Sequence, residues 1–190
     1  VTEVYDYIRL LFARVGHPKC PDCGREIQRQ SAQEIVDQVV EQIEEEKDYS
    51  IERGVRYFIL SPIVKDRKGE YSSLFSNLKK QGIVRARIDG KIESLNKDFG
   101  LIKTNKHTIE AVITRNIVSK KRMKDKNYER EFLSDLYQNI ETALKLSNGN
   151  VLLTMVKDKE FDFVENPTEF DDYLYSENFA CPHCNVSLPD

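Results

Sequence analysis

The chain has 190 residues, which is long enough to bury a hydrophobic core and fits one ordinary domain or a small domain with appendages. Hydrophobic residues make up 39% and charged residues 32%, and no run of about 18 apolar residues exists, so the sequence excludes a membrane-spanning segment and indicates a globular protein. The net charge of −3 argues against a dedicated nucleic-acid-binding protein, because such proteins carry a basic footprint.

The first predicted element is an amphipathic helix. Thr2 is a suitable N-cap, and apolar residues recur at helical spacing until Gly16 and Pro18 interrupt the pattern. These residues are Val4, Ile8, Leu11, Phe12 and Val15. The apolar face needs a surface to pack on, either this domain or the body of a larger protein. We favour the larger protein, because the helix precedes the first cysteine motif and the chain starts at Val1 without a methionine.

All four cysteines lie in two Cys-Pro-x-Cys motifs at opposite ends of the chain: Cys20 with Cys23, and Cys181 with Cys184. This spacing lets one loop present two thiolates to the same metal ion. Four thiolates complete a tetrahedral zinc site and leave no position for water. The sequence therefore predicts a structural zinc site that closes the neck of the domain between the motifs.

Two other interpretations of the cysteines stay open, namely disulfide bonds and a redox dithiol. Disulfides fit poorly, because a chain rich in lysine and glutamate without a signal peptide is expected in the cytoplasm, where thiols stay reduced. A redox dithiol does not explain why the motif is duplicated with no thiol left over. His17 and His183 lie nearby, but four cysteines already fill the coordination shell.

The remaining elements alternate irregularly between helices and strands. A capping box at Ser31 and Glu34 predicts the start of a second helix, and residues 55–64 form an apolar run typical of a central strand. Further predictions are a short helix around residues 74–78 that stops at Gly82, a hairpin with an Asp89-Gly90 turn, a strand over 108–118, a long helix from 128 to Gly149, and strands over 151–156 and 161–164. The fold class is α+β, with an antiparallel or mixed sheet and packed helices.

Charged residues are concentrated in two segments, residues 65–70 and 85–91. The first is expected to be a lysine-rich turn. The second alternates apolar and charged residues, so Arg85 and Arg87 are expected on the outer face of the hairpin. Such a face is either merely solvated, with weak ion pairs, or a docking patch whose arginines bind carboxylates. No phosphate-binding glycine loop, nucleophile elbow or His-Glu-x-x-His motif occurs, so we expect no catalysis.

Several segments resemble the UvrA family, a component of the bacterial excinuclease ABC. They are residues 1–16, the first cysteine motif, and residues 61–70, 84–90, 107–110 and 178–184, in the order of the family and across the whole chain. Segments 44–53 and 119–127 match least well, and no role is transferred to them.

The resemblance implies that residues 20–184 form a UvrB-binding domain closed by zinc at its neck. Residues 1–19 would be a flanking helix of the parent ATPase half, and 185–190 the start of the return to it. The domain would hold UvrB and load it at lesions found by a UvrA dimer, while ATP binding and most DNA contact would lie outside this chain, which we expect to be monomeric. The implied docking residues are Lys65, Arg67, Lys68, Glu70, Arg85, Arg87, Asp89 and Lys91.

An alternative hypothesis is direct, sequence-independent DNA binding. A basic cluster follows the strand predicted over 108–118, and clusters of like charge often follow the phosphate backbone. It consists of Lys120, Lys121, Arg122 and Lys124. The acidic net charge and the lack of an aromatic platform beside the cluster favour the docking hypothesis.

Overall fold

A computed structural model describes residues 2–16, 18–27, 29–46, 54–97, 99–158, 165–178, 180–181 and 186–187. Its helices are α1 (Thr2–Val15), α2 (Ala32–Glu45), α3 (Ser72–Lys80) and α4 (Lys126–Leu146), with a 3-10 turn at Arg122–Lys124. The strands are β1 (Val55–Lys68), β2 (Arg85–Ile88), β3 (Lys91–Ser94), β4 (Lys106–Val118), β5 (Asn150–Val156), β6 (Phe170–Ser176), β7 (Ala180–Cys181) and β8 (Val186–Ser187). None of the helices in these ranges is long and apolar enough to cross a membrane.

Six strands form one sheet in the order β3-β2-β4-β1-β5-β6, and every neighbouring pair is antiparallel. β7 and β8 pair separately. The α+β prediction is confirmed, and of the two sheet types the antiparallel one is present. The hairpin turn is also confirmed: Asp89 (φ 49°) and Gly90 (φ 85°) both have positive φ, which a two-residue type I′ turn requires and which Gly adopts without strain.

Helices cover the first face of the sheet. The predicted capping box starts α2: the Ser31 side chain accepts from the Glu34 N–H, and the Glu34 carboxylate accepts from the Ser31 N–H. α2 and α4 then bury their apolar sides against β1, β4 and β5, around side chains such as Tyr57 and Ile140. α3 covers the β2–β4 region through Phe75 and Leu78.

The second face of the sheet is concave. Along β1, Phe58 and Leu60 alternate with the first-face residues and pack here with side chains from β3, β4 and β5. Arg87 on β2 reaches Asp172 on β6 at 2.8 Å. Four strand steps separate these strands, about 19 Å in a flat sheet, so the sheet must curl. Register shifts between β1 and β4 fit this, since bulges increase local twist and bending.

Several predictions need correction. Residues 65–68 are not a turn but the end of β1, which pairs with β4 as far as Lys68. The segment around Asp171 was not recognised as a strand, yet it forms β6. Part of the basic cluster after the strand predicted over 108–118 is a 3-10 turn. The strand predicted over 161–164 lies outside the described residues.

The helix α1 is present as predicted, with its apolar side chains largely exposed. Leu11 is 61% exposed and Phe12 is 69% exposed. These side chains do not pack on the described part of the domain, and packing of α1 on the body of a larger protein stays a prediction.

Candidate functional site

The two charged segments singled out in the sequence meet at one end of the sheet. Thr108, near the start of β4, lies between them. Its main-chain N–H donates to Asp89 Oδ1 at 2.8 Å, and the Asp89 N–H donates to the Thr108 carbonyl at 3.0 Å. On the other side, the Asp66 N–H donates to Thr108 Oγ1 at 3.2 Å. The end of β1 and the β2–β3 turn are thus held against the same residue.

This end of the sheet carries a group of exposed, mostly basic side chains. We call it the strand-end patch, and it consists of Lys65, Arg67, Lys68, Glu70, Lys91 and Lys106. Tyr71 fixes the turn after β1 by donating its hydroxyl hydrogen to the Arg67 and Lys68 carbonyl oxygens. Lys106 Nζ lies 2.6 Å from Asp66 Oδ2, and both side chains are more than half exposed. The patch can therefore offer several cations to an acidic partner surface without first breaking a buried contact.

A histidine supports the patch from below. His107 is buried and places Nδ1 2.7 Å from Asp89 Oδ2 and Nε2 3.2 Å from the Ile102 carbonyl oxygen. Both neighbours are acceptors, so both ring nitrogens act as donors when the imidazole is protonated. The hydrogen bond to Asp89 raises the pKa of His107, although burial opposes it. Burial tends to raise the pKa of Asp89, but hydrogen bonds from His107 and Thr108 bring it below its ordinary value.

Arg87 does not belong to the exposed surface, and its predicted position on a solvent-facing side was wrong. It is 5% exposed and points into the concave second face. Its guanidinium donates to both carboxylate oxygens of Asp172, at 3.1 and 2.8 Å, and to the carboxylate of Glu110. Thr154 donates to Asp172 at 2.5 Å, and the Phe170 ring lies 5.2 Å from the guanidinium carbon. The residue therefore joins β2, β4, β5 and β6.

Two further hairpin residues of the predicted set, Asp89 and Arg85, also differ from each other. Asp89 is held by His107 and Thr108, so it shapes the turn as well as contributing charge. Arg85 is partly exposed, and its guanidinium lies 3.6 Å from the exposed carboxylate of Glu165. A pair this exposed contributes little to stability, so Arg85 remains able to bind another carboxylate.

The basic cluster considered as a DNA-binding element is partly bound to other residues of the domain. Lys120 Nζ donates to the carbonyl oxygens of Glu44 and Glu46, where the last turn of α2 leaves them without helical partners. The Arg122 guanidinium lies 4.2 Å from the centre of the Tyr128 ring. Lys121 and Lys124 are exposed. Two of the four cations thus have partners within the fold.

The first cysteine motif forms a short hairpin that fits a metal-binding loop. Lys19 and Glu26 form a β-bridge across it, the Cys20 N–H donates to the Arg25 carbonyl at 2.8 Å, and the Gly24 N–H donates to the Cys20 carbonyl at 2.9 Å. Gly24 has φ +71°, which a residue with a side chain rarely adopts. Cys20 is buried and Cys23 is exposed.

The second motif is enclosed by strands in the same register. Here Ala180 pairs with Ser187, and Cys181 pairs with Val186. The first motif has the same register, because Lys19, just before Cys20, pairs with Glu26, the third residue after Cys23. Cys184 and the side chain of Cys181 lie outside what the structure describes. Among the described side chains, no group of three or more possible metal ligands is found. The hairpins fit a zinc site, and the four-cysteine set stays a prediction.

Sequence reasoning missed the residues that connect the predicted segments. Thr108 and His107 hold the strand-end patch together, and Glu110 and Asp172 bind Arg87. For Glu110 a signal existed, since antiparallel pairing of the two strands sets it opposite Arg87. No comparable signal existed for Asp172, because its contact depends on the curl of the sheet.

Comparisons with known proteins agree on one family. The sequence model of the UvrA interaction domain family matches residues 30–157 of this chain. The chain is 43% identical over 191 residues to the UvrABC system protein A of Clostridium tetani, covering all of this chain and 17% of the relative. The protein of the same name in Clostridium perfringens is 44% identical over 191 residues, and that of Streptomyces coelicolor is 42% identical over 192 residues. This chain spans 16–17% of the length of these relatives.

Proposed function

Because the chain belongs to the UvrA interaction domain family, we propose that it is the part of a UvrA protein that docks UvrB during nucleotide excision repair. The chain then acts as a non-catalytic module, and it places UvrB at lesions found by the rest of the protein. ATP binding and most contact with DNA belong to the parts of UvrA outside this chain. The exposed apolar side of α1 packs on those parts.

The observation that carries the proposal is the strand-end patch. Two segments far apart in sequence are held on either side of Thr108, and this arrangement exposes several cations on a rigid sheet. The sheet fixes the main-chain positions from which these side chains extend, and a mixed-sign patch dominated by cations steers an acidic partner surface into register. We therefore assign Lys65, Arg67, Lys68, Glu70, Lys91 and the partly exposed Arg85 to the contact with UvrB.

Arg87 and Asp89 take a different role in this proposal. Arg87 is buried and fixes the concave face, and Asp89 shapes the turn that presents Lys91. They are therefore positioning residues for the docking surface. A charge reversal at Arg87 would damage the fold, so it cannot serve as a test of docking.

We also propose that Cys20, Cys23, Cys181 and Cys184 hold one structural zinc ion. The matching registers of the pairs that flank the two motifs support this assignment. Zinc would tie the two ends of the domain together and take no part in a reaction. Elemental analysis of the purified chain should find about one zinc per chain, and serine at Cys20 should abolish it. A chain that folds without metal would contradict the assignment.

Docking is tested by charge reversal of one exposed arginine. Arg67→Glu should weaken UvrB binding about tenfold at low salt, because it replaces attraction by repulsion at the patch. Isothermal titration calorimetry of the 190-residue chain with UvrB measures this. Arg130→Glu on the exposed side of α4 is the matched control, since it makes the same charge change away from the patch.

The same titration separates the other outcomes. The affinity of the unaltered chain should fall as salt rises, because ions screen exposed charges. Equal affinities of the Arg67→Glu and Arg130→Glu variants for UvrB would show that the interface does not include the strand-end patch. Tight binding of the chain to duplex DNA, lost in a Lys121→Glu, Lys124→Glu variant, would instead support the DNA-binding hypothesis.

A further inference from the structure

The two edges of the six-stranded sheet are protected to different degrees. At β3, the Ile92 N–H donates to Asn166 Oδ1 at 2.6 Å, so a side chain covers the middle of that edge. At β6, the contact seen among the described residues is the Ser176 N–H donating to Gln30 Oε1 at 3.5 Å, at the end of the strand. An uncovered edge strand is a template on which another chain can pair.

The hydrogen-bond pattern shows which groups of β6 face outward. The Lys157 N–H donates to the Glu169 carbonyl, and the Glu177 N–H donates to the Gly149 carbonyl, at 2.7 and 2.8 Å. Since hydrogen-bonded pairs alternate in an antiparallel ladder, Tyr173 and Tyr175 bond to β5. Asp172 and Leu174 therefore direct their main-chain N–H and C=O groups away from β5. Within the described part of the chain, these groups have no hydrogen-bond partner.

This edge is held firmly from inside the sheet. The Asp172 side chain accepts two hydrogen bonds from Arg87 and one from Thr154. Leu174 packs against the apolar side chains of the concave face. The outward groups of β6 are therefore fixed in position before any partner arrives, which lowers the entropy cost of pairing.

An acidic groove with aromatic side chains runs along the same edge, between α2 and β6. Its lining includes Glu41 and Glu45 on α2 and Tyr173 and Tyr175 on β6. Burial, then the neighbouring Tyr173 and Glu41, raise the pKa of Tyr175 to about 12. Burial and the surrounding carboxylates also raise the pKa of Tyr173, against the opposing charge of Lys157. The groove thus has a negative potential and tyrosine rings, both of which favour cations.

We propose that β6 is a second docking edge, on which an extended basic segment of a partner protein adds as a further strand. Main-chain groups of Asp172 and Leu174 would bind the segment, as in other cases of strand addition. In a strand, side chains at positions i and i+2 point to the same side and are separated by about 6.7 Å. This is close to the roughly 5–6 Å between the Cβ atoms of residues i and i+4 on a helix, the spacing of Glu41 and Glu45. Lysine or arginine at alternate positions of the segment therefore faces Glu41 and Glu45 together.

The test uses the 190-residue chain and a short fluorescent peptide of alternating lysine and valine. We expect saturable binding by anisotropy and slower hydrogen exchange of the Asp172 and Leu174 amides in the complex. The same peptide with N-methylated valines keeps its charge but cannot complete the ladder, so it should bind at least about tenfold more weakly. Equal binding of both peptides would overturn strand addition.

A pair of variants tests the charge pattern. Glu45→Lys should weaken binding of the peptide about tenfold, because it places a cation opposite the peptide lysine. Glu131→Lys on α4 makes the same change on another exposed helix position and should leave binding within about twofold. Equal weakening by both would show attraction to overall charge, and chain dimerisation through β6 in sedimentation would show a different occupant. Either result overturns the proposal, and neither bears on UvrB docking at the strand-end patch.

Discussion

Arg67 and Arg87 were placed by the sequence in one charged surface, yet the fold gives them opposite environments. Arg67 lies near the end of β1 with its side chain in solvent. Arg87 lies on β2, is 5% exposed, and binds two carboxylates on other strands. Both were expected at the surface from their charged segments, so the pattern alone does not distinguish them. The difference shows that an outer face of a hairpin becomes an inner face when the sheet curls over it.

The strongest test of this comparison replaces each arginine by methionine, which keeps a long side chain but removes the charge. Arg87→Met should lower the free energy of unfolding by about 3 kcal/mol, because it leaves two carboxylates together without their shared cation. Arg67→Met should change it by less than about 0.5 kcal/mol. Urea denaturation followed by circular dichroism measures both.

A further variant checks the cause of the loss at Arg87. In the Arg87→Met background, Asp172→Asn removes one of the two carboxylate charges left without a cation, and it should restore part of the lost stability. If Arg87→Met proves as mild as Arg67→Met, the buried cluster does not hold the concave face. The comparison between the two arginines would then rest on exposure alone.

The parts of the fold that were predicted are those that local chemistry decides. The capping box at Ser31, the Asp89-Gly90 turn and the apolar periodicity of α4 each specify their element through neighbours in sequence. Residues 65–68 and β6 were missed because charged side chains on an exposed strand resemble a loop. What makes them strands is pairing with β4 and β5, which depends on residues outside the local pattern.

The candidate site divides in the same way. The residues Lys65 and Lys91 were correctly expected at the surface, since both belong to charged segments beside turns. That the two segments contact each other through Thr108 was not predictable, because Thr108 is a neutral residue whose role depends on the strand order β2-β4-β1. Single-sequence patterns show which residues are charged, whereas the sheet order decides which charges become neighbours.

An intermediate case is the pair of Asp89 with the buried His107. Asp89→Asn keeps the positive φ of 49°, which Asn tolerates, and can still accept from the Thr108 N–H, but it loses the charge. We expect a loss of about 1 kcal/mol in the free energy of unfolding near pH 6. This lies between the losses expected at Arg87 and at Arg67.

The pH dependence of that loss identifies its cause. The pKa of His107 is raised in the fold, so the stabilisation by the pair is complete below the ordinary pKa of about 6.5 and is lost as pH rises through the raised value. The pKa of Asp89 is lowered, so its contribution is lost only as pH falls through that lowered value. The difference in the free energy of unfolding between the unaltered chain and the Asp89→Asn variant should thus become smaller as the pH rises from about 6 to about 9. A constant gap would place the effect in the turn and not in the charge pair.

The smallest effect is expected at Asp66, which matches Asp89 in conformation but not in partner. Asp66 also has positive φ, 50°, and lies 2.6 Å from a cation, yet that cation is the exposed Lys106. An exposed ion pair gains little because water and salt screen it and two side chains lose freedom. Asp66→Asn should therefore change the free energy of unfolding by less than about 0.5 kcal/mol, equally at about pH 6 and about pH 9. Urea denaturation of the Asp66→Asn and Asp89→Asn variants compares two similar aspartates whose cationic partners differ in burial. A loss at Asp66 as large as at Asp89 would mean that the short distance, and not the burial of the partner, determines what such a pair contributes.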